Sequence, residues 1–141
     1  MAGRPRILLT HTPDMRINYY GDRALAGLQA LGDVVLHEGA MPLDGAALVA
    51  AAAGCALVVA DRNTPGHKHV LAALGDTVAF LRVAVDISTI DVAAASEAGI
   101  LVTQASRTWV PAVAEMAIGL MIAIGRDIAA TPSYAQVSQL D

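Results

Sequence analysis

Charge is what this chain has least of. Only 16% of its 141 residues are Asp, Glu, Lys or Arg, 55% are hydrophobic, and the mean hydropathy is +0.53. An ordinary soluble domain carries about 25% charged residues. The surplus apolar surface therefore calls for a partner chain or a further domain of the same protein. Basic runs are missing too: the net charge is −4, which argues against nucleic-acid binding, since that relies on clustered Lys and Arg.

Cysteine is nearly absent. Cys55 alone allows no intramolecular disulfide framework and suits a reducing cytoplasm. Beside Gly54 it reads as a small core residue rather than a nucleophile. Arg4 and Arg6 lead only into Ile7-Leu8-Leu9, too short for the apolar part of a signal peptide, so a cytoplasmic location is expected. The longest apolar run, Val110–Gly125, interrupted by Glu115, falls short of the ~20 residues of a membrane span. Phosphate-cradling glycine motifs (G-x-G-x-x-G, G-x-x-x-x-G-K-[ST]), a serine elbow and a zinc signature are all lacking. His67 and His69 have no carboxylate or cysteine at ligand spacing. They read as an exposed first helical turn, and no metal is expected.

What is present is a rhythm. Five short runs rich in Val, Leu and Ile recur at Ile7–Thr10, Val34–His37, Ala56–Ala60, Val78–Arg82 and Ile100–Thr103. They show little alternation, as strands buried on both faces of a parallel sheet do. Helix-length segments lie between them, at about Asn18–Leu31, Gly45–Ala53, Gly66–Leu74 and Val92–Ala98. Leu25, Leu28 and Leu31 give the first a three-to-four spacing. Gly32, Gly54, Gly75 and Gly99 stand where helices stop; Asp44, Asp91 and Pro65 stand where they start. Four strand–helix–strand units in series predict an α/β, flavodoxin-like five-stranded parallel sheet of order 2-1-3-4-5, with a Rossmann half as the alternative.

A long helix follows, with Pro111 in its first turn and an end near Ile128. Val113, Met116, Ala117, Leu120, Met121 and Ile124 form one apolar stripe, and Ile118 and Ile122 make the other side apolar as well. A helix apolar all round is normally buried. The expected divisions are a sheet domain over 1–105, the linker or dimerisation helix over 106–128 and a flexible tail over 129–141.

Ligands of open α/β sheets bind beyond the carboxyl ends of the strands. That selects His11-Thr12-Pro13, Asp61-Arg62-Asn63-Thr64 and Val83–Ser88. Arg62, a guanidinium fork beside Asn63 and Thr64, suits a carboxylate or phosphate; the plainer reading is a surface arginine paired with Asp61. Val83, Ala84 and Val85 offer small side chains and backbone N–H groups to an anion, or form an ordinary strand end. His11 is a weaker acid–base candidate without a visible partner. Tyr19 and Tyr20 line the cleft or pack the first helix, and His37 and Glu38 read as a solvated strand end. Trp109 is an interface anchor or a core residue.

Ile90-Asp91-Val92-Ala93-Ala94-Ala95, then Ala98-Gly99-Ile100-Leu101-Val102-Thr103, then Ala114-Glu115-Met116-Ala117-Ile118-Gly119-Leu120-Met121 and Arg126 resemble the D-isomer-specific 2-hydroxyacid dehydrogenases, of which phosphoglycerate dehydrogenase is the best-known member. The pattern there is G-x-G-x-D-N-(I/V)-D, then A-A-x-x-x-G-I-x-V, then V-A-E-x-x-x-x-L-M-L-A-x-x-R. The resemblance covers about Asp61 to Arg126. It implies a two-domain NAD-dependent enzyme whose flavodoxin-like substrate domain is interrupted by a nucleotide-binding domain. The long helix would be the link and would contribute to a dimer.

By the same resemblance Arg62 matches the substrate-loop arginine. Ala84, Val85 and Asp86 match the G-x-G segment that approaches substrate and nicotinamide, which makes Val85 the cofactor-facing residue. Glu115 is structural. Ala84 and Asp86 replace the two glycines, and Ser88-Thr89 replaces the D-N pair. The nucleotide domain, which in the family carries the dinucleotide fingerprint and the catalytic arginine, glutamate and histidine, is absent, so no catalytic residue is nominated.

The expected function is that of a substrate-binding domain holding the carboxylate of a small 2-hydroxy or 2-oxo acid, with NAD(H) serving the full-length parent. The chain alone is expected to bind no cofactor and to be inactive. The expected partner of the helix Trp109–Ile128 is a second copy of the chain or the nucleotide-binding domain. The alternative is a stand-alone, non-catalytic module that dimerises through this helix.

Overall fold

The computed structural model describes residues 3–128; the tail expected over 129–141 lies outside the described residues. The chain divides between Ala105 and Ser106 into two compact units.

The first unit is built on five strands, β1 (Arg6–Leu9), β2 (Asp33–Leu36), β3 (Leu57–Ala60), β4 (Ala79–Arg82) and β5 (Leu101–Thr103). They join in one all-parallel sheet of order 2-1-3-4-5, as the apolar runs predict. The lack of alternation has its reason here. Successive residues of β1 point to opposite faces, yet Ile7, Leu8 and Leu9 are all buried, because both faces are covered. Leu8, Val58 and Phe80 face the helices α3 (Gly45–Ala51), α4 (Lys68–Leu71) and α5 (Val92–Glu97). Ile7, Leu9 and Val59 face α2 (Asp22–Leu31), through Leu25 and Leu28. The β1-to-β2 crossover moves one way across the sheet and the other three move the opposite way, so right-handed connections divide the helices between the faces. Phe80, the sole phenylalanine, is fully buried; burying such a side chain contributes about 1.5–3 kcal/mol.

Two helical segments differ from expectation. The stretch Asn18–Leu31 is not one helix. A short α1 (Pro13–Met15) runs into a π-helical turn, Arg16–Tyr20, and α2 starts afresh after Gly21. Gly21 has φ +80°, a backbone state that glycine adopts without steric cost. Leucine spacing marks a face but not a start, and Leu31 itself is exposed. Likewise α4 is shorter than Gly66–Leu74, and Pro65 does not open it. The amide of Gly66 donates to the Thr89 carbonyl at 3.0 Å, and its own carbonyl accepts from Asp91 N–H at 2.8 Å. With its backbone committed to the β4–α5 loop, Gly66 cannot join a helix, and His67 becomes the N-cap. Asp91 caps α5, its carboxylate accepting from the Ala94 amide at 2.9 Å. Asp44 occupies the same place before α3 without a side-chain cap. Of the four stop glycines, Gly54 and Gly99 take the left-handed backbone, whereas Gly32 is extended.

The second unit contains α6 (Val110–Gly125), with Pro111 in its first turn. It ends short of the expected Ile128. None of its side chains is buried; Val113, Met116, Leu120, Met121 and Ile124, and on the other side Ile118 and Ile122, are each more than half exposed. Among the described residues no helix is long and apolar enough to cross a membrane.

Candidate functional site

At the carboxyl ends of β1, β3 and β4 the sheet runs out of apolar residues and a polar network begins. Its centre is Asp61, the first residue beyond β3, which is buried together with Thr10 and Thr64. Thr10 Oγ1 donates to Asp61 Oδ2 at 2.7 Å. Thr64 Oγ1 lies 2.9 Å from Thr10 Oγ1 and 2.5 Å from Asp61 Oδ2. The Asn63 amide donates to Asp61 Oδ1 at 2.7 Å. Burial pushes the Asp61 carboxyl up, but hydrogen bonds from Thr64, Thr10 and Asn63, with the charge of His11, outweigh it and leave the pKa below the ordinary carboxylate value. Asp61 is therefore an ionised structural anion.

Above this network lies Arg82, the last residue of β4, only 2% exposed. One guanidinium nitrogen donates to the carbonyl of Asp61. The other donates to the Thr64 carbonyl at 2.8 Å and to Thr89 Oγ1 at 3.1 Å. Arg82 makes none of the ion pairs found among the described residues, and its Nε is buried without a partner.

His11 follows β1. It is buried, its ring tilted against Tyr20 with centroids 5.0 Å apart, and its Nδ1 has no partner. Burial holds its pKa below the ordinary value; Asp61 opposes this and Arg16 adds to it. Arg16 donates to the carbonyls of His11 at 3.0 Å and His37 at 2.6 Å, and pairs with Glu38 at 3.0 Å. The strand end expected to be merely solvated is thus tied to the π-helical turn, with His37 Nε2 lying 2.8 Å from the Met41 carbonyl.

The residues singled out from the sequence surround this network. Arg62 is exposed. Its expected pairing with Asp61 does not form, because the Asp61 carboxylate turns inward to the threonines. Asn63 is exposed, although its amide is bound to Asp61. In the next loop the Val83 amide is not free: it donates to the Ala60 carbonyl at 2.9 Å. The Ala84 carbonyl accepts from Ala105 N–H at 3.0 Å, which fixes the loop from the β5 side. No protein acceptor among the described residues takes the amides of Ala84, Val85 and Asp86, and Ala84 and Val85 are half-buried. This short row of N–H groups is the anion-facing part of the loop.

Asp86 opposes an anion there. Its side chain is exposed and accepts from the Ser88 amide at 2.8 Å and Ser88 Oγ at 3.0 Å. Those bonds from Ser88 hold its pKa below the ordinary value, with Arg82 and Arg62 contributing. Tyr19 points to solvent while Tyr20 packs on His11. His67 and His69 stack with centroids 5.8 Å apart, and among the described residues no group of three His, Cys, Asp or Glu is placed to hold a metal. Cys55 is buried.

Arg82, Thr10 and Thr64 are absent from the sequence-based candidates. The available signal was Arg82 itself, a charge closing the apolar run Val78–Arg82, where a buried strand end must find it acceptors.

Over residues 7–138 the sequence matches the family model described as D-isomer specific 2-hydroxyacid dehydrogenase, catalytic domain. Among solved structures, the pyruvate reductase of Chlamydomonas reinhardtii aligns with 98% of this chain and 39% of its own, at TM-score 0.67 and 19% identity. D-lactate dehydrogenase from Escherichia coli covers 88% of this chain and 38% of its own, at TM-score 0.61 and 22% identity. The NAD+-bound 3-phosphoglycerate dehydrogenase of Entamoeba histolytica covers 86% and 39%, at TM-score 0.63 and 19% identity. At these identities the likeness is one of fold, and the chain spans less than half the length of each. No curated protein matches the sequence.

Proposed function

The chain belongs to the D-isomer specific 2-hydroxyacid dehydrogenase family, in its catalytic-domain part, and on that premise we propose that it holds the carboxylate of a small 2-hydroxy or 2-oxo acid for a dehydrogenase. One observation carries the reading: Arg62 and the row of unused amides at Ala84–Asp86 stand beyond the carboxyl ends of the adjacent strands β3 and β4. A guanidinium fork and convergent N–H groups are what a carboxylate needs. Asn63 supplies a further side chain, and Val83 and Val85 supply apolar walls.

A nicotinamide dinucleotide is the hydride carrier this family name implies. The residues described here do not build a cradle for it. They include no glycine-rich strand-to-helix turn, and only Val85 faces the place where a nicotinamide would meet the substrate. We assign the dinucleotide, and every group that moves a proton or hydride, to a nucleotide-binding domain outside this chain. Helix α6 fits contact with that domain or with a second copy of the chain, because its apolar surface runs all round. We also place the protein in the cytoplasm, on its lone buried cysteine.

The test is a titration of the full chain with pyruvate and with glyoxylate, read by backbone amide and arginine Nε–H resonances. Shifts at Asn63, Ala84 and Val85 and at the Arg62 side chain, lost in Arg62→Ala, are the expected result. Unmoved resonances at millimolar acid, or NADH-dependent reduction of pyruvate by this chain alone, would sink the reading.

A further inference from the structure

We propose that Arg82 is a positioning residue: its buried guanidinium clamps the Asp61–Thr64 turn to the β4–α5 loop and so sets the spacing between Arg62 and the amides of Ala84–Asp86. This rests on the carboxylate reading above for its functional meaning.

The geometry points this way. The two nitrogens of the fork reach three acceptors on two different segments: the carbonyls of Asp61 and Thr64 on the β3 side and the hydroxyl of Thr89 on the β4–α5 side. Arg62 and Asn63 lie between the two β3-side acceptors, and the anion-facing row Ala84–Asp86 lies between Arg82 and Thr89 in the chain. A guanidinium has the planar, multi-donor shape for such bridging; an ammonium does not. The clamp also explains an otherwise costly choice. Arg82 is buried with carbonyls and a hydroxyl as acceptors and no carboxylate in contact, while its nearest anion, Asp61, spends its oxygens on Thr10, Thr64 and the Asn63 amide. Buried charges are poor providers of stability, and well-packed apolar replacements often cost nothing. A charge kept here for stability alone would be a weak solution. As a spacer between two binding loops it is a specific one.

The only other direct tie between these loops is the backbone pairing of Gly66 with Thr89 and Asp91, on the side away from Arg62. Arg82 therefore decides how the Arg62 side is held.

Arg82→Met and Arg82→Lys in the full chain test this, with pyruvate as the probe. Loss of the clamp is expected to weaken pyruvate binding about tenfold in Arg82→Met, since groups in one network couple by that order. Arg82→Lys keeps the charge and is expected to fail to restore wild-type binding. The same Arg82→Met change made on top of Arg62→Lys is expected to add little, because Arg82 acts through the loop that carries Arg62. Amide exchange at Gly66 and Asp91 is expected to accelerate in Arg82→Met while that of Ala52 in α3 holds.

Wild-type pyruvate affinity in Arg82→Met, full rescue by Lys, or fully additive losses with Arg62→Lys would overturn the positioning role. If the wild-type chain takes no pyruvate, the carboxylate reading fails by itself and exchange alone decides the clamp. Selective acceleration at Gly66 and Asp91 upholds it; no change, or a change shared with Ala52, overturns it.

Discussion

Thr10 and Asp61 satisfy each other. The Thr10 hydroxyl donates to Asp61 Oδ2 at 2.7 Å, and the Asp61 amide donates back to Thr10 Oγ1 at 2.9 Å. The pair joins the ends of the neighbouring strands β1 and β3, at the point where the apolar core gives way to the loops that carry Arg62. Fully satisfied polar pairs in a buried setting hold one geometry, because any rearrangement leaves a group without a partner.

Asp61→Asn should therefore cost about 1–3 kcal/mol, the usual penalty for leaving buried partners mismatched. Urea denaturation at neutral pH checks it. Asp61 has a folded pKa below its ordinary 3.8. Its contribution is present in full above that value and is lost as pH falls through the lower folded pKa. In Asp61→Asn the stability curve should be flatter below pH ~4; a wild-type acid limb would refute the assignment.

His11 acts in a higher window. Its folded pKa is lowered from 6.5 by burial, so the unfolded chain takes up the proton first. Stability is greatest above 6.5 and declines as pH falls below it, toward the folded value. His11→Phe keeps a ring against Tyr20 and removes the titration. The expected outcome is a denaturation midpoint that changes less between pH 7 and pH 5 than the wild type's.

Asp86 sits in the anion-facing loop as an anion itself. Asp86→Asn should tighten pyruvate binding roughly two- to fivefold at low salt, the scale of an exposed charge–charge interaction, and added salt should shrink the difference. Calorimetry at two ionic strengths reads both effects. Weaker binding by the variant would mean that Asp86 serves the ligand instead of repelling it.

The lone tryptophan, Trp109, is half-exposed at the start of α6 and reports on that helix. If α6 is a contact surface between copies, its emission should move to shorter wavelength as concentration rises, in step with the sedimentation coefficient. Leu120→Glu should abolish both changes, because a carboxylate is not tolerated in an apolar contact. A concentration-independent monomer would remove α6 from the list of self-association surfaces.

The sheet was legible because its signal is collective. A buried parallel strand must be apolar throughout, and Ile7-Leu8-Leu9, Leu57-Val58-Val59 and Phe80-Leu81 carry that signal without context. Strand order followed from chain rhythm and crossover handedness. Smaller features were not legible, each for a physical reason. Gly21 ends a helical turn through its own φ, while Leu25 and Leu28 continue the same face on the far side. Asp61 and Arg62 are adjacent and equally polar, yet one turns into the sheet and the other out of it. That choice depends on Thr10 and Thr64, which approach from other parts of the chain. Arg82 reads as the edge of a strand until the carbonyls around it are known. The loop at Val83 looked like open backbone, but pairing with β3 removes its first amide.

The Thr10–Asp61 contact also closes a separation of 51 residues. Loop closure of that length is paid before the contact returns anything. The ligand-facing end of this sheet should therefore mature late in folding, after the local β–α units have formed. Substitutions at Thr10 or Asp61 would then speed unfolding while leaving the refolding rate almost untouched. A stopped-flow chevron with one displaced arm would be the mark of a frame that assembles first and a binding edge that locks last.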